Sequence, residues 1–409
     1  MKLIDKLSMD FSCYHCNTVT KLDIKIEVTY FSCPNCATIY SRNVSNDFVF
    51  KERHKKVDYN NAFSVGQKAE FYGNVFTIIG FLVKSGDYNI RWIEYVLQND
   101  KAEFLYLSES SGNFILLEQT EFEKKVGNHP LTIDYLDNTY DRFDYSYPKL
   151  DYAAGFFDFN VLNKIELIEY INPPFILSFE KFGQEQTAFY GKHISRSAVK
   201  KAFNTSVIPS KSEIGMVEPF FVNVRNLVLT FCAVGFLIIF THWYLNQDRV
   251  EQEVLNASIP FENYTSKDFV SPSFELKGSS APLQISVSSN VNNSWANVQI
   301  ALVNENTNEE IYASKDVEYY HGYTDGENWT EGSTSENFNI CGVGAGKYHL
   351  TVTPSKAPED FSNSLISVKA NWNAPSNRNI YMVFIFMAIV AVGMYYWSKY
   401  FENKRWGEY

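Results

Sequence analysis

Two stretches break the otherwise alternating pattern of apolar and polar positions in this chain. Residues 227–245 (LVLTFCAVGFLIIFTHWYL) and 380–397 (IYMVFIFMAIVAVGMYYW) are almost wholly apolar and contain no Asp, Glu, Lys or Arg. At 1.5 Å per helical residue, about 20 such residues match a hydrocarbon core of roughly 30 Å. Neither run shows the polar stripe of a surface helix. The pattern predicts two transmembrane helices, over 225–245 and 379–398.

Before the first of these, short apolar or alternating runs are broken by turn residues. From about Phe63 the breaks fall at Tyr72-Gly73-Asn74, Ser85-Gly86-Asp87, Gln98-Asn99-Asp100 and Ser111-Gly112-Asn113. Strands of this length joined by such turns predict an antiparallel sheet or small barrel. Residues 151–182 continue in strands, with Asn172-Pro173-Pro174 as an extended or turn segment. ISRSAVKKAF reads as a short helix capped by Ser195 or Ser197, with Lys200 and Lys201 facing lipid head groups or water. The aromatics of this region (Phe71, Tyr72, Phe76, Trp92, Tyr95, Phe104, Tyr106, Phe114) sit at strand spacing and read as core. Trp92, Glu94 and Tyr95 form the candidate ligand or interaction site, although a solvent-facing strand position is the simpler reading of Glu94.

Between the two apolar runs, residues 246–258 read as a brief extension of the first helix. The runs LQISVSSNV, WANVQIALVN, EEIYASKDVEYY, SENFNI, KYHLTVTP and LISVKANW then predict some six strands, a β-sandwich of jelly-roll or immunoglobulin type. TDGENWTEGS lacks the oxygen-ligand register of a calcium loop and reads as a turn. CGVGAGKY matches no phosphate-binding loop and reads as a hairpin connection.

Four of the six cysteines lie at the start, as Cys13-x2-Cys16 and Cys33-x2-Cys36. Two such knuckles can bring four thiolates around one zinc ion, the pattern of a zinc ribbon. KLDIKIEVTYF between them alternates as a ribbon strand does. His15 inside the first knuckle reads as a solvent-facing side chain, and no acid is placed to serve an open catalytic zinc. The expected cofactor is structural Zn2+, held by Cys13, Cys16, Cys33 and Cys36. Cys232 lies within the first apolar run and reads as a packing residue, while Cys341 stands alone in the middle stretch. The polar segment 46–61, with the short basic run His54-Lys55-Lys56, reads as a linker.

VGQKAEFYGNVFTIIGFL, RWIEYVLQND, FLYLSESSGNFILLE and FEKFGQEQTAFYGKHISRSAVKKAF, in this order, resemble the domain of unknown function 4178 family. Trp92, Glu94, Tyr95, Leu107, Ser108, Glu109 and Gly191 occupy the places of its Trp-x-Glu-Tyr strand, Leu-Ser-Glu turn and closing glycine. The resemblance covers roughly residues 62–215, and the ribbon and membrane-anchored outer domain fit longer bacterial members. It implies a membrane-associated system and brings no established catalytic residues.

Charge and flanking residues set the expected topology. Lys200, Lys201, Lys211 and Arg225 precede the first run, and Lys399, Lys404 and Arg405 follow the second. Only Arg249 and Arg378 lie close to the membrane on the other side, so the basic residues place both termini in the cytosol. The N-terminal MKLIDKLSMDFSCYHC, lacking an apolar core, agrees with that placement. Residues 246–378 carry 8 basic against 17 acidic side chains out of a net charge of −11, which speaks against nucleic acid or an anionic lipid surface as their partner.

The expected fold class is mainly β with two transmembrane α-helices. The segments are a zinc ribbon (1–45), a linker (46–61), a cytosolic β-barrel or sheet domain (62–215), the first span (225–245), an extracytoplasmic β-sandwich (246–378), the second span (379–398) and a cytosolic tail (399–409). No Gly-x-Ser-x-Gly or His-Glu-x-x-His occurs, and the spans hold no intramembrane charge that would mark an ion path. The expected function is a non-enzymatic scaffold in the bacterial inner membrane, with the lipid bilayer and protein partners as its contacts and homo-oligomerisation left open. The alternatives are a small-ligand-binding or enzymatic β-domain, or an accessory subunit of a transport complex.

Overall fold

The fold is described from a computed structural model covering residues 7–55, 59, 62–86, 90–123, 125–127, 129–247, 249–265, 267–374 and 377–407. Lys56 of the basic run and Asp87 of the second expected turn lie outside the described residues. The chain is mainly β and divides into two compact units, Met1–Val224 with Val392–Tyr409, and Arg225–Ala391.

The first unit is built on one antiparallel sheet. Its strands run in the order Thr132–Tyr135, Asn138–Ser146, Glu166–Asn172, Phe175–Phe182, Glu185–Ile194, Asn113–Thr120, Phe104–Ser110, Arg91–Asn99, Asn74–Ser85, Lys149–Phe157, Tyr30–Ser32, Thr38–Arg42 and Phe48–Arg53. The expected turns form where the chain can adopt positive φ: Tyr72-Gly73 and Ser111-Gly112 each have both residues there, as two-residue hairpins require. The sheet curls strongly. Lys84 on Asn74–Ser85 and Glu180 on Phe175–Phe182 lie on strands five steps apart, which on a flat sheet would separate them by about 24 Å. Their Nζ and Oε1 atoms are 2.8 Å apart.

Alternation then sorts the side chains. Phe81, Val83, Ile93, Tyr95, Leu97, Leu105, Leu107, Phe114 and Leu116 share one core. The helix α1 (Arg196–Ala202) covers it with Val199, and Phe203 just beyond stacks on Phe63 at 3.7 Å between ring centroids. Ser195 caps α1 by accepting from the Ala198 N–H, while Lys200 and Lys201 are exposed. Of the expected core aromatics, Phe71, Phe76, Tyr95 and Phe114 are buried, Trp92, Phe104 and Tyr106 are half-buried, and Tyr72 is exposed. The opposite face carries Leu82 and Val96 into a second core shared with Phe11, Ile24, Val28, Phe31 and Phe156. At the join, Gly80 pairs with Gly155; a Cβ on Gly155 (φ +103) would lie 2.3 Å from the Ile79 carbonyl oxygen, so only glycine permits this approach.

Leu7–Ser12 and Val19–Ile24 pair with each other as a separate two-stranded sheet, whereas the N-terminal strands after them extend the sheet of the residues that follow. Tyr30–Ser32 pairs with Lys149–Phe157. Strand Phe48–Arg53 pairs with Thr38–Arg42, inside the stretch expected as a linker. It is an edge strand, where exposure on both faces is tolerated, and Val49 and Phe50 are exposed along with Lys51, Glu52 and Arg53.

In the second unit, α2 (Val224–Asn246) and α3 (Arg378–Arg405), of which residues 378–391 lie in this unit, are long and apolar enough to cross a membrane. Gly235 is the one buried residue described on α2, and the Phe384 ring packs where its side chain would be. The helix α2 stops at Asn246, and residues expected to extend it form strand Gln252–Pro260, paired with Leu365–Trp372. Two antiparallel sheets follow, one of four strands and one of six. They bury one common core, with Leu283, Ile285 and Val287 from the first against Val298, Ile300 and Leu302 from the second. Residues 344–345 join strand Ser335–Val343 of one sheet to Gly346–Lys356 of the other, a crossing between layers where a hairpin was expected. The turn in TDGENWTEGS is confined to Asp325 and Gly326, both at positive φ, and the remainder of the stretch expected as a turn forms strand Glu327–Ser333, paired with Glu310–Thr324.

Candidate metal centre and curled face

The two Cys-x2-Cys segments fold alike. Each first cysteine donates its N–H to the carbonyl five residues on (Cys13 to Thr18, Cys33 to Thr38, both 3.0 Å), and each accepts from the N–H four residues on, at 2.8 and 2.9 Å. The residues after the second cysteines, Asn17 and Ala37, both turn left-handed, with φ 57° and 58°. This doubled turn brings the Sγ atoms of Cys13, Cys16, Cys33 and Cys36 within 4.8 Å of one another. The Cys13–Cys36 and Cys16–Cys33 separations are 3.5 and 3.6 Å, far beyond a disulfide bond. A tetrahedron with metal–sulfur bonds of about 2.3 Å has edges of about 3.8 Å, so the donor set fits a tetrahedral thiophilic ion. His15 is exposed and outside the cluster.

The surroundings distribute charge unevenly over the four thiols. Burial works against a thiolate at Cys13, yet hydrogen bonds from Tyr40 and the Cys16 and His15 N–H groups outweigh it and lower its pKa. The bond with the Thr18 hydroxyl brings Cys16 down to about 6, while burial pushes Cys33 and Cys36 upward. Ionising all four thiols this close together would require a cation, and four protein ligands would leave no open position on a tetrahedral ion.

Trp92, Glu94 and Tyr95 do not form one site. Successive side chains on a strand face opposite ways, and Tyr95 is fully buried in the core, where its hydroxyl accepts the Ala62 N–H at 3.1 Å. Trp92 and Glu94 lie on the other face. The Trp92 indole donates to Glu94 at 2.6 Å, and Lys84 Nζ lies 2.7 Å from the same carboxylate. Glu94 is thus half-buried and ion-paired, in place of the solvent-facing position expected.

Lys84 joins Glu94 to Glu180 and is itself buried. Burial opposes its charge, but the two carboxylates prevail and hold the ammonium above its usual pKa. Nearby, burial together with Asp144 and Glu94 raises the Glu169 carboxyl to about 8. Sequence reasoning missed Lys84, Glu169 and Glu180. The available signal was a polar residue at an inward position of an otherwise apolar strand, as Lys84 is in FTIIGFLVK.

The other residues carrying the family resemblance serve the fold. Glu109 accepts the Gly112 N–H at 2.9 Å, closing the hairpin after Leu107 and Ser108, and Arg196 donates to the Gly112 carbonyl at 2.7 Å. Gly191 leaves room for Leu117 and Ile176, which a Cβ there would meet at 2.7 and 2.8 Å.

A third arrangement lies where α3 ends. The second helix continues past the expected span to Arg405, whose buried guanidinium donates to the carbonyls of Gly215 (2.8 Å), Met216 (2.6 Å) and Glu218 and to the Glu402 carboxylate (2.9 Å). Trp397 packs on Phe221, and Trp406 on Phe143. A positive residue in the last turn also complements the helix dipole.

Residues 64–196, which supply most strands of the curled sheet, match the family described as Domain of unknown function (DUF4178). No curated protein matches the chain. Solved structures similar to it include infectious bursal disease virus Gx strain (8% identity, 85% of this chain and 67% of that one, TM-score 0.17). The VP2 subviral particle of the same virus gives 8% identity, 84% and 65% coverage and a TM-score of 0.18. The insecticidal delta-endotoxin Cry8Ea1 from Bacillus thuringiensis gives 10%, 86% and 52%, and 0.16. The chain spans about two thirds or less of these structures, and similarity at these TM-scores carries no argument.

Proposed function

We propose that this protein is a non-enzymatic, membrane-tethered scaffold of a bacterial cytoplasmic membrane. In this reading α2 and α3 cross the bilayer, both termini are cytosolic, and residues 246–378 form an extracytoplasmic β-sandwich that braces or senses the envelope. The zinc ribbon and the family domain recruit protein partners in the cytosol. The observation that carries the reading is the end of α3, where Arg405, Trp397 and Trp406 hold an apolar helix to the curled-sheet unit. That is the construction of a tether. Cys13, Cys16, Cys33 and Cys36 would hold Zn2+, which when bound cross-links the two knuckles and supplies no open position for chemistry. The excess of Lys and Arg beside the cytosolic helix ends supports the orientation.

A second reading, a small-ligand site in the family domain, draws support from the half-buried Trp92, Glu94 and Glu180 around Lys84. The filled core at Tyr95 counts against a pocket there.

Exposed Cys341 provides the test of orientation. A membrane-impermeant maleimide should label it in intact spheroplasts of a strain expressing the protein, and Cys341→Ser should abolish that label. Labelling only after lysis would overturn the orientation. The scaffold role is tested by isolating the protein in mild detergent. A stoichiometric partner supports it, whereas none, together with tight binding of a small metabolite, would favour the second reading.

A further inference from the structure

The strand Glu310–Thr324 is longer than its neighbour. It pairs with Ser294–Asn304 only as far as Tyr319, and from Glu318 onward it pairs with Glu327–Ser333. The result is a two-stranded arm at the end of the six-stranded sheet, with Glu327–Ser333 as the edge strand. On this edge strand every residue but Ser333 is exposed.

The arm presents an aromatic platform. Trp329 lies opposite Gly322, and a Cβ on Gly322 would come 2.8 Å from the indole. The indole therefore rests flat on the backbone, with Nε1 donating to the Thr324 hydroxyl at 3.3 Å. It is 43% exposed, so its other surface faces solvent. Tyr320 and Glu331 form the next pair, and Thr324 and Glu327 the pair on the other side. By the alternation of strands, Glu327 and Glu331 share the face of Trp329. Glu318 and Asp325 add two more carboxylates, and residues 318–333 contain no Lys or Arg. None of these four acids has an ion-pair partner among the described residues.

An exposed edge strand is a template for another strand, and proteins commonly obstruct such edges with Lys, Pro or bulges. This edge carries no Lys or Pro. Its carboxylates would oppose those of a second copy, so the charge disfavours self-pairing and favours a basic partner. An aromatic face between two carboxylates also attracts a cation.

We propose that the arm formed by residues 318–333 docks a basic, extended segment of a partner protein, which adds as a strand along Glu327–Ser333 and lays an Arg or Lys side chain over Trp329. The proposal names the chemistry of one partner and holds whichever side of a membrane the unit occupies, so its failure leaves the scaffold reading standing.

The test uses the full chain in detergent micelles and a fluorescein-labelled (Val-Arg)5 decapeptide, followed by anisotropy. Wild-type protein should bind it, and Trp329→Ala and the pair Glu327→Gln/Glu331→Gln should each weaken binding by about tenfold or more, while Trp329→Phe retains most of it. The same peptide N-methylated at every residue keeps its charge but has no backbone N–H to give the ladder on either edge, and should also lose about tenfold. No binding to wild type up to about 1 mM, equal binding of the methylated peptide, or unchanged binding to the variants would each overturn the proposal. So would dimerisation that the Glu327→Gln/Glu331→Gln pair strengthens in light scattering. Binding of chitohexaose that Trp329→Ala abolishes, without peptide binding, would make the platform a sugar site instead.

Discussion

Lys84 Nζ lies 2.8 Å from Glu180 Oε1, although five strand-to-strand steps separate the two residues along the sheet. The pair closes the curl, and Glu94 at 2.7 Å completes a three-residue bridge. Removing one member of a buried ionic group leaves the others uncompensated, which costs about 3–5 kcal/mol. Lys84→Met should therefore lower the thermal midpoint of the purified protein markedly. Adding Glu94→Gln and Glu180→Gln to Lys84→Met should recover much of the loss. If the triple variant is no more stable than Lys84→Met, the three residues do not act as one bridge.

Glu169 predicts a pH dependence. Its carboxyl is raised to about 8 in the folded protein, so between its ordinary value of about 4.5 and about 8 the folded state retains a proton that the unfolded state releases. Its contribution to stability thus falls as pH rises through that window and is level above it. Glu169→Gln should stabilise the protein at pH 8.5 by about 1–3 kcal/mol and change little at pH 4. Thermal midpoints across pH would show this as curves that meet at low pH and separate upward. Parallel curves would remove the assignment.

The knuckles predict one zinc per chain by elemental analysis of protein purified without chelator. Cys13→Ser or Cys33→Ser should lose the metal. Because Tyr30–Ser32 and Thr38–Arg42 are strands of the main sheet, metal removal should also raise amide exchange there first. Exchange confined to residues 13–18 would mean that the sheet holds without the ion.

Arg405 meets three carbonyls, and its replacement by Met would take this donor from all three, leaving Gly215 with the Glu218 N–H alone. A cost of about 2–4 kcal/mol is expected locally, read as faster proteolysis within residues 205–223. Lys404→Met, one residue away and without these bonds, is the control. Equal protection of both variants would show that the helix end is held by Trp397 and Trp406 alone.

Much of this architecture was legible in the sequence because its signals are local. An apolar run long enough for a span, two Cys-x2-Cys turns, and period-two alternation between Gly-Asn or Asp-Gly turns each act over fewer than about 25 residues. The helix α1 with its Ser195 cap, and six of the seven strands through residues 281–372, follow from signals of that kind, while the seventh, Glu327–Ser333, does not.

What only the tertiary structure decided depends on which strands meet. Trp92, Glu94 and Tyr95 fall within four residues of one motif, yet the pleat sends Tyr95 into a filled core and the other two to the curled face. The stretch 46–61 taken as a whole is polar enough to resemble a linker, and the free edge at Thr38–Arg42 makes its residues 48–53 a strand. Arg405 looked like a basic residue beside a membrane until the carbonyls of residues 215, 216 and 218 gathered around it. Lys84 and Glu180 are nearly a hundred positions apart, and no local pattern encodes their contact. The sequence by itself determined the two apolar helices, most of the strands and the four-thiol motif; closing the curl, fusing the knuckles to the sheet and anchoring the helix end required long-range contacts that only the folded chain creates.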